Sequence, residues 1–352
     1  MINAYINPPP LFLRNQLFAR DKAYNGDDWL QIWRAVKEEC KKNDINFNTV
    51  DYADYNNPAD TDVYITLGHR DWLYNYYQHF RNPDYPIINP KKFKKRILIQ
   101  FEPPLVNPKA FTKIDQLRKV YDKMIYSVKT GSRHCQYVLH PKTYDDIIPK
   151  LWEKKDRKFL CMVNINKKPK RLKFQRLYFG LLKPFPLQKE IISDRLEIIK
   201  FFSNTGDMDL YGIGWDKRPP FPFWGYKKYA TKIWKGPVES KFETIANYTF
   251  TIATEHGIAP GFVGEAMIDC LAVGTIPIYL GAPDITEFVP KNCFIDMRDF
   301  KNYEELRQYL KDLSAEEIEQ YRQNGKNFLR SAKYDPFRKQ KFAELIVKLI
   351  KE

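Results

Sequence analysis

Cysteine is scarce and scattered in this chain: Cys40, Cys135, Cys161, Cys270 and Cys293 are an odd set without a CxxC pair. That argues against a disulfide framework and against a structural zinc site. Cys161 and Cys270 sit among apolar neighbours and read as buried free thiols, which favours a reducing compartment. Histidine is equally rare, and His69, His79, His134, His140 and His256 show no metal-ligand spacing. No run approaches the roughly 18 apolar residues of a membrane span. The opening residues, Met1 to Pro10, have neither the basic stretch nor the apolar run of a signal peptide. Internal repeats and low-complexity segments are missing too. A cytoplasmic chain is expected, soluble or peripheral on a membrane.

What is present is material for cores. The 352 residues are 43% apolar and 15% aromatic, enough for two α/β domains and too much for a disordered chain. The net charge is +15, with clusters at Lys91 to Arg96 and at Lys167 to Arg171. Such a surface attracts phosphates, whether in nucleotides, nucleic acid or anionic headgroups, although a solvated loop explains a basic cluster as well.

The first part of the chain alternates strand and helix signals. Strands are expected over Ile2 to Asn7, Ile45 to Val50, Asp62 to Leu67, Arg96 to Phe101 and Lys123 to Val128. A helix opening at Asp27-Asp28 carries Trp29, Ile32, Trp33 and Val36 on one face. Charged residues at 151–158 mark a domain junction, after which a second series begins. It has strands over Phe159 to Val163, Met208 to Gly212, Tyr248 to Thr254 and Thr275 to Leu280. Its helices cover Asp194 to Phe202, Ser240 to Ala246, Phe262 to Val273, Asn302 to Leu313 and Ser314 to Ser331. Ser314 and Glu317 have capping-box spacing. The expected fold is α/β, two Rossmann-like domains facing a cleft, covering 1–150 and 151–335. A last helix, 336–352, could return to the first domain.

Chemistry concentrates in Tyr248 to Pro283. A buried strand runs into Glu255-His256, Pro260-Gly261 makes a turn, and Gly264 and Glu265 fall in the first turn of the following helix. Glycine there lets a ligand approach free backbone N–H groups, and the helix dipole favours an anion. Glu265 would accept hydrogen bonds from sugar or ribose hydroxyls, or would only complement the dipole.

This segment, continued through Phe294-Ile295-Asp296 to Phe300, resembles the C-terminal domain of family 10 glycosyltransferases, the α-1,3/4-fucosyltransferases. The match holds Glu255, Val263, Glu265, Ile276-Pro277-Ile278 and Gly281. Tyr211-Gly212, Gly236-Pro237-Val238 and Lys241 are similar upstream. Four positions depart from the family: its Asn is His256, its Tyr Phe262, its Thr Gly264, and its Lys Ala266. The resemblance implies a GT-B fold, with acceptor held by the first domain and a nucleotide-diphosphate sugar, GDP-fucose favoured, by the second. It also implies an inverting, metal-independent transfer that needs no cofactor beyond this co-substrate.

Residue by residue, the resemblance implies donor contacts from Arg171 with Lys170 beside it, and from Lys241, Glu255, His256, Phe262, Gly264 and Glu265. It makes Glu102, in Phe101-Glu102-Pro103, the general base; a strand-end salt bridge is the alternative role. Two Asp-x-Asp triplets, Asp60 to Asp62 and Asp207 to Asp209, precede strands rather than follow them and are expected to hold no metal. The aromatic stretch Trp215 to Trp234 reads as a packed loop or as an acceptor-binding lip. Other readings remain open. One is a transferase using another nucleotide sugar, such as a UDP-linked one, on a phosphate-rich acceptor like modified DNA or a lipid-linked glycan. Another is a non-catalytic protein binding nucleotide sugar or nucleic acid.

Overall fold

The computed structural model describes residues 2–20, 29–69, 72–166, 190–217 and 227–352. Among them the chain divides into two compact α/β units, with divisions at Thr143/Tyr144 and Asp335/Pro336. The segment from Pro336 to the end belongs to the first unit.

The first unit is built on a parallel sheet. Its strands are β1 (Ile2–Asn7), β2 (Ile45–Thr49), β3 (Val63–Leu67), β4 (Lys95–Gln100), β5 (Lys123–Tyr126) and β6 (Gln136–Tyr137), in the order β2-β1-β3-β4-β5-β6. Parallel strands covered on both faces need near-continuous apolar runs, as Ile97, Leu98 and Ile99 supply in β4. One face packs Trp33 and Val36 of the Gln31–Lys42 helix against Ile6, Ile65 and Ile97. Phe342, Ala343, Ile346 and Ile350 of the C-terminal Lys339–Lys351 helix join the same cluster.

The second unit repeats the plan with β7 (Lys158–Val163), β8 (Met208–Tyr211), β9 (Tyr248–Thr254), β10 (Ile276–Leu280) and β11 (Ile295–Asp296). Their order is β11-β10-β9-β7-β8, all parallel. Alternation sends Leu160 and Met162 of β7 into one core and Cys161 into another on the opposite face. The strand order reverses between β1 and β3 in the first sheet and between β7 and β9 in the second. Ligands of doubly wound sheets bind beyond the carboxyl ends of the strands at such points.

The boundary that follows β9 differs from expectation. The helix expected from Phe262 spans Glu265–Ala272, with Gly264 as its N-cap. Two N–H groups before it are held by distant carboxylates: Gly261 N donates to Asp284 Oδ1 at 2.8 Å, and Gly264 N to Glu255 Oε1 at 2.7 Å. Ser314 caps the Ala315–Leu329 helix through a reciprocal capping box with Glu317. Among the described residues, no helix is long and apolar enough to cross a membrane.

Candidate functional site: the carboxyl ends of β7 and β9

Strand β9 delivers Thr254, Glu255 and His256 to the point where the second sheet changes direction. Glu255 is only 6% exposed. Its backbone N–H continues the ladder to Leu280 O at 2.9 Å, and its carboxylate turns toward the start of the Glu265–Ala272 helix.

Two glycines make room for that carboxylate. A Cβ on Gly264 would stand 2.3 Å from Glu255 Oε2. One on Gly281 would stand 2.4 Å from Glu255 Cγ and 2.3 Å from the Tyr279 hydroxyl. A helix N-terminus favours an anion because its first N–H groups lack intrahelical acceptors. Here the protein's own carboxylate occupies part of that position. Burial, with Glu255 nearby, pushes the Tyr279 phenol well above its ordinary value. The neutral hydroxyl accepts from Ala282 N at 2.9 Å.

Beneath the strand end lies Arg195, 3% exposed, on the Ile192–Thr205 helix. It donates from Nε to Thr254 Oγ1 at 2.7 Å, and from Nη2 to Thr254 O at 2.9 Å and Glu255 O at 2.6 Å. Burial lowers its pKa to about 10, against the opposing pull of Glu255 and Glu190, so it keeps its charge at neutral pH. Its place was readable in principle. Arg195 shares the i, i+3, i+4, i+7 stripe with Ile198, Ile199 and Phe202, all fully buried. An arginine on an apolar stripe calls for buried acceptors.

The other expected site residues divide clearly. Glu265 opens its helix exposed, with Ala266 half-buried beside it. Phe262 is buried, 6% exposed. Lys241 pairs with Asp269 at 2.5 Å, both side chains mostly buried. Asp269 lies one turn after Glu265 on the same helix face. Arg171 and Lys170 lie outside the described residues, as does much of the aromatic stretch before Trp234.

Glu102 belongs to the first unit, exposed just beyond the carboxyl end of β4. Its backbone is fixed by the fully buried Gln100, whose Nε2 donates to Glu102 O at 2.6 Å. Asn107 Nδ2 in turn donates to Gln100 Oε1 at 3.1 Å. This bracing amide closes the strand after the apolar run Ile97-Leu98-Ile99. The carboxylates of both Asp-x-Asp triplets have structural partners. Asp62 accepts from Asn3 and Ala59 N, Asp60 pairs with Lys94, Asp207 with Arg307 and Lys311, and Asp209 with Tyr248 and Lys158.

Comparison with known proteins bears on this same region. Residues 188–334 match the model of the glycosyltransferase family 10 (fucosyltransferase) C-terminal region. The chain is 39% identical to alpha-(1,3)-fucosyltransferase FucT of Helicobacter pylori over 77 residues, 22% of this chain and 16% of that protein. It is 35% identical to alpha-(1,3)-fucosyltransferase B of Drosophila melanogaster over 141 residues, 39% of this chain and 31% of that one. The matches therefore span less than a third of these relatives' lengths. Among solved structures, an alpha1,3-fucosyltransferase with GDP aligns over 100% of this chain and 90% of its own, with TM-score 0.51 and 14% identity. An alpha-glucosyltransferase in complex with UDP and a 13-mer DNA aligns over 100% of both chains, with TM-score 0.52 and 11% identity. AviGT4, a glycosyltransferase of avilamycin A biosynthesis, aligns over 100% of this chain and 97% of its own, with TM-score 0.52 and 13% identity. These likenesses show the fold, which is that of the GT-B glycosyltransferases.

Proposed function

From the premise that this chain is a divergent relative of the family 10 glycosyltransferases, matched over residues 188–334, we propose that it transfers a sugar from a nucleoside diphosphate to an acceptor hydroxyl. The observation that carries the reading is the Glu255–Gly264–Gly281 arrangement. It is a close-packed turn beside the switch point of a doubly wound sheet, opening onto a helix that begins with an exposed carboxylate. In this reading Glu265 accepts hydrogen bonds from ribose or sugar hydroxyls. The diphosphate meets the first-turn N–H groups of the Glu265–Ala272 helix that Glu255 leaves available. Arg171 and Lys170 add cationic contacts, with the guanidinium suited to bidentate phosphate binding.

The transfer is inverting and needs no metal. Glu102 takes the proton of the acceptor hydroxyl as its oxygen bonds to the anomeric carbon. The bond from that carbon to the diphosphate oxygen breaks on the opposite face, and the nucleoside diphosphate leaves with the electron pair. A leaving diphosphate needs charge stabilisation rather than a proton, which the helix start and the basic residues supply. The curated relatives named above are fucosyltransferases, which supports a GDP-fucose donor. Ala266 stands where the family has lysine, so one diphosphate-facing charge is missing and a different nucleoside-diphosphate donor, such as a UDP-linked sugar, is the second reading.

A thermal-shift screen of GDP-, UDP-, dTDP- and CMP-sugars tests this, because a nucleotide bound only by the native state must raise its stability. A shift with GDP-fucose is expected. A shift with UDP-sugars and none with GDP would replace the donor, and no shift with any would sink the transferase reading.

A further inference from the structure

Two backbone carbonyls fix the polarity of the amides that stand behind Glu102. A carbonyl oxygen only accepts, so Gln100 must turn Nε2 toward Glu102 O, at 2.6 Å, and Oε1 away. Oε1 then faces a donor, which Asn107 Nδ2 supplies at 3.1 Å. The same Nδ2 reaches His69 O at 3.5 Å, a second acceptor that sets the Asn107 amide the same way round. We propose that Gln100 and Asn107 are positioning residues for the general base. Together they tie both ends of the loop 102–107 to the end of β4 and so set where Glu102 stands. The inference rests on the role proposed for Glu102 above and names what holds that residue in place.

Neither side chain is accounted for by its own local structure. Gln100 is fully buried at the end of a strand whose preceding residues, Ile97, Leu98 and Ile99, are apolar and buried. An amide in that place must be desolvated, which an apolar side chain avoids, and only its bonds offset the cost. Asn107 is the N-cap of the Pro108–Thr112 helix, a position where asparagine ordinarily accepts from the first helical N–H groups. Its side chain makes no such bond and is turned to Gln100 instead.

The loop is stiff, so an anchor at its base is felt along it. Glu102 and Pro103 each precede a proline and are restricted to extended backbone. Pro103 O accepts from Val106 N at 2.9 Å and from Asn107 N at 3.1 Å, which closes the loop on itself. Gln100 is in turn part of the sheet, its own carbonyl accepting from Ser127 N at 3.0 Å. The joint between this closed loop and β4 is the backbone of Phe101 and Glu102. The Gln100 side chain spans that joint by holding the Glu102 carbonyl, and Asn107 holds the Gln100 amide from the far end of the loop. A base displaced by about 1 Å loses up to roughly a hundredfold in rate. All of these residues belong to the first unit, so the donor contacts proposed for the described residues of the second are left alone.

Two variants of the full chain separate positioning from support of the fold. Gln100→Met keeps length and burial but cannot donate. It should lower kcat about tenfold to a hundredfold, with KM for donor and acceptor changed by less than about twofold. Asn107→Asp keeps a good N-cap residue, so the Pro108–Thr112 helix is not weakened. Its carboxylate draws Gln100 Nε2 to itself and away from Glu102 O. Here kcat should fall as in Gln100→Met while Tm stays near the wild-type value, and this variant decides the matter where Gln100→Met folds poorly. In a Glu102→Gln background, Gln100→Met should change the residual rate by less than about twofold, because a residue acting through the base has nothing left to act on. Full kcat in Asn107→Asp or in folded Gln100→Met overturns the proposal, as does an undiminished effect of Gln100→Met in that background. Hydrogen exchange at Val106 and Asn107 reads the loop without turnover and should quicken in both variants. Unchanged exchange overturns the proposal as well. Wild-type turnover in Glu102→Gln alone would instead remove the base itself, while quickened exchange would still show that the amide pair holds the loop.

Discussion

The carboxylate of Glu255 fills the space that any side chain at Gly264 would need. The two residues are joined by the 2.7 Å bond from Gly264 N, and an added Cβ would meet Oε2 at 2.3 Å. Gly264 lies in extended backbone, φ −73°, so its requirement here is steric and not conformational.

Gly264→Ala therefore forces either the carboxylate or the helix start to move. Displacing Glu255 breaks its bond to Gly264 N and loosens the turn. Overpacking of this kind costs about 1–3 kcal/mol. The expected outcome is a lowered Tm and a weakened nucleotide-sugar shift, both measured by thermal denaturation with and without donor. Full stability with full donor binding would show that the close packing is incidental.

Glu102→Gln should leave donor binding intact, because Glu102 belongs to the first unit and the nucleotide contacts proposed for the described residues to the second. The amide fills the same space but cannot take a proton. Loss of a general base lowers kcat by about 10²–10⁴. Turnover of the acceptor reaction beside a donor thermal shift checks both halves. Undiminished kcat would remove Glu102 from the mechanism.

How much of this was legible depended on whether the cause was local. Apolar runs bounded by turn residues located β1 and β9, and the Ser314 capping box lies where its spacing placed it. The Glu265–Ala272 helix start was misplaced because Asp284 and Glu255, 23 and 9 residues away, bind the preceding N–H groups. The Trp72–Arg81 helix gave no signal at all. Its aromatic density suits a strand as well as a helix, and Tyr76, Tyr77 and Phe80 are exposed, so these three rings mark no buried face. Arg195 escaped notice because arginine is normally read as surface. Only the fold brings it beneath Thr254 and Glu255. The Lys241–Asp269 pair, 28 residues apart, is likewise set by the fold and has no local sign in the sequence.

Acid should weaken the second unit through Asp296. Burial alone would raise this carboxyl, but the Arg298 side chain and backbone N–H reverse that and hold it below its ordinary value. The guanidinium is bidentate, Nε to Oδ1 at 2.8 Å and Nη2 to Oδ2 at 2.6 Å. A carboxyl depressed in the folded state binds protons more readily when unfolded. Its contribution is thus complete above the unfolded value, about 3.9, and is lost as pH falls through the folded one. Arg298→Met should accordingly lower Tm at pH 7, with the difference from wild type shrinking as both are taken toward about pH 3. A pH-independent difference would mean that the arginine acts through packing alone.

The C-terminal helix gives the sharpest test of how the first unit is held together. Lys339–Lys351 places Phe342, Ala343, Ile346 and Ile350 in one cluster with Ile6, Trp33, Val36 and Ile97. Ile346 is fully buried, so shortening it removes apolar contacts and leaves a cavity that its neighbours close only in part. Ile346→Ala should cost about 2–5 kcal/mol. Removing Lys339 to the end should unfold the unit, because the face it shares with the Gln31–Lys42 helix loses the packing of Phe342, Ala343, Ile346 and Ile350 together. The loss should also be local. Hydrogen exchange read by mass spectrometry should show protection falling first in Ile2–Asn7 and Lys95–Gln100, before any change in Tyr248–Thr254. Simultaneous loss in all three strands would show that the two units unfold as one, and the helix would then stabilise the whole chain rather than the first sheet.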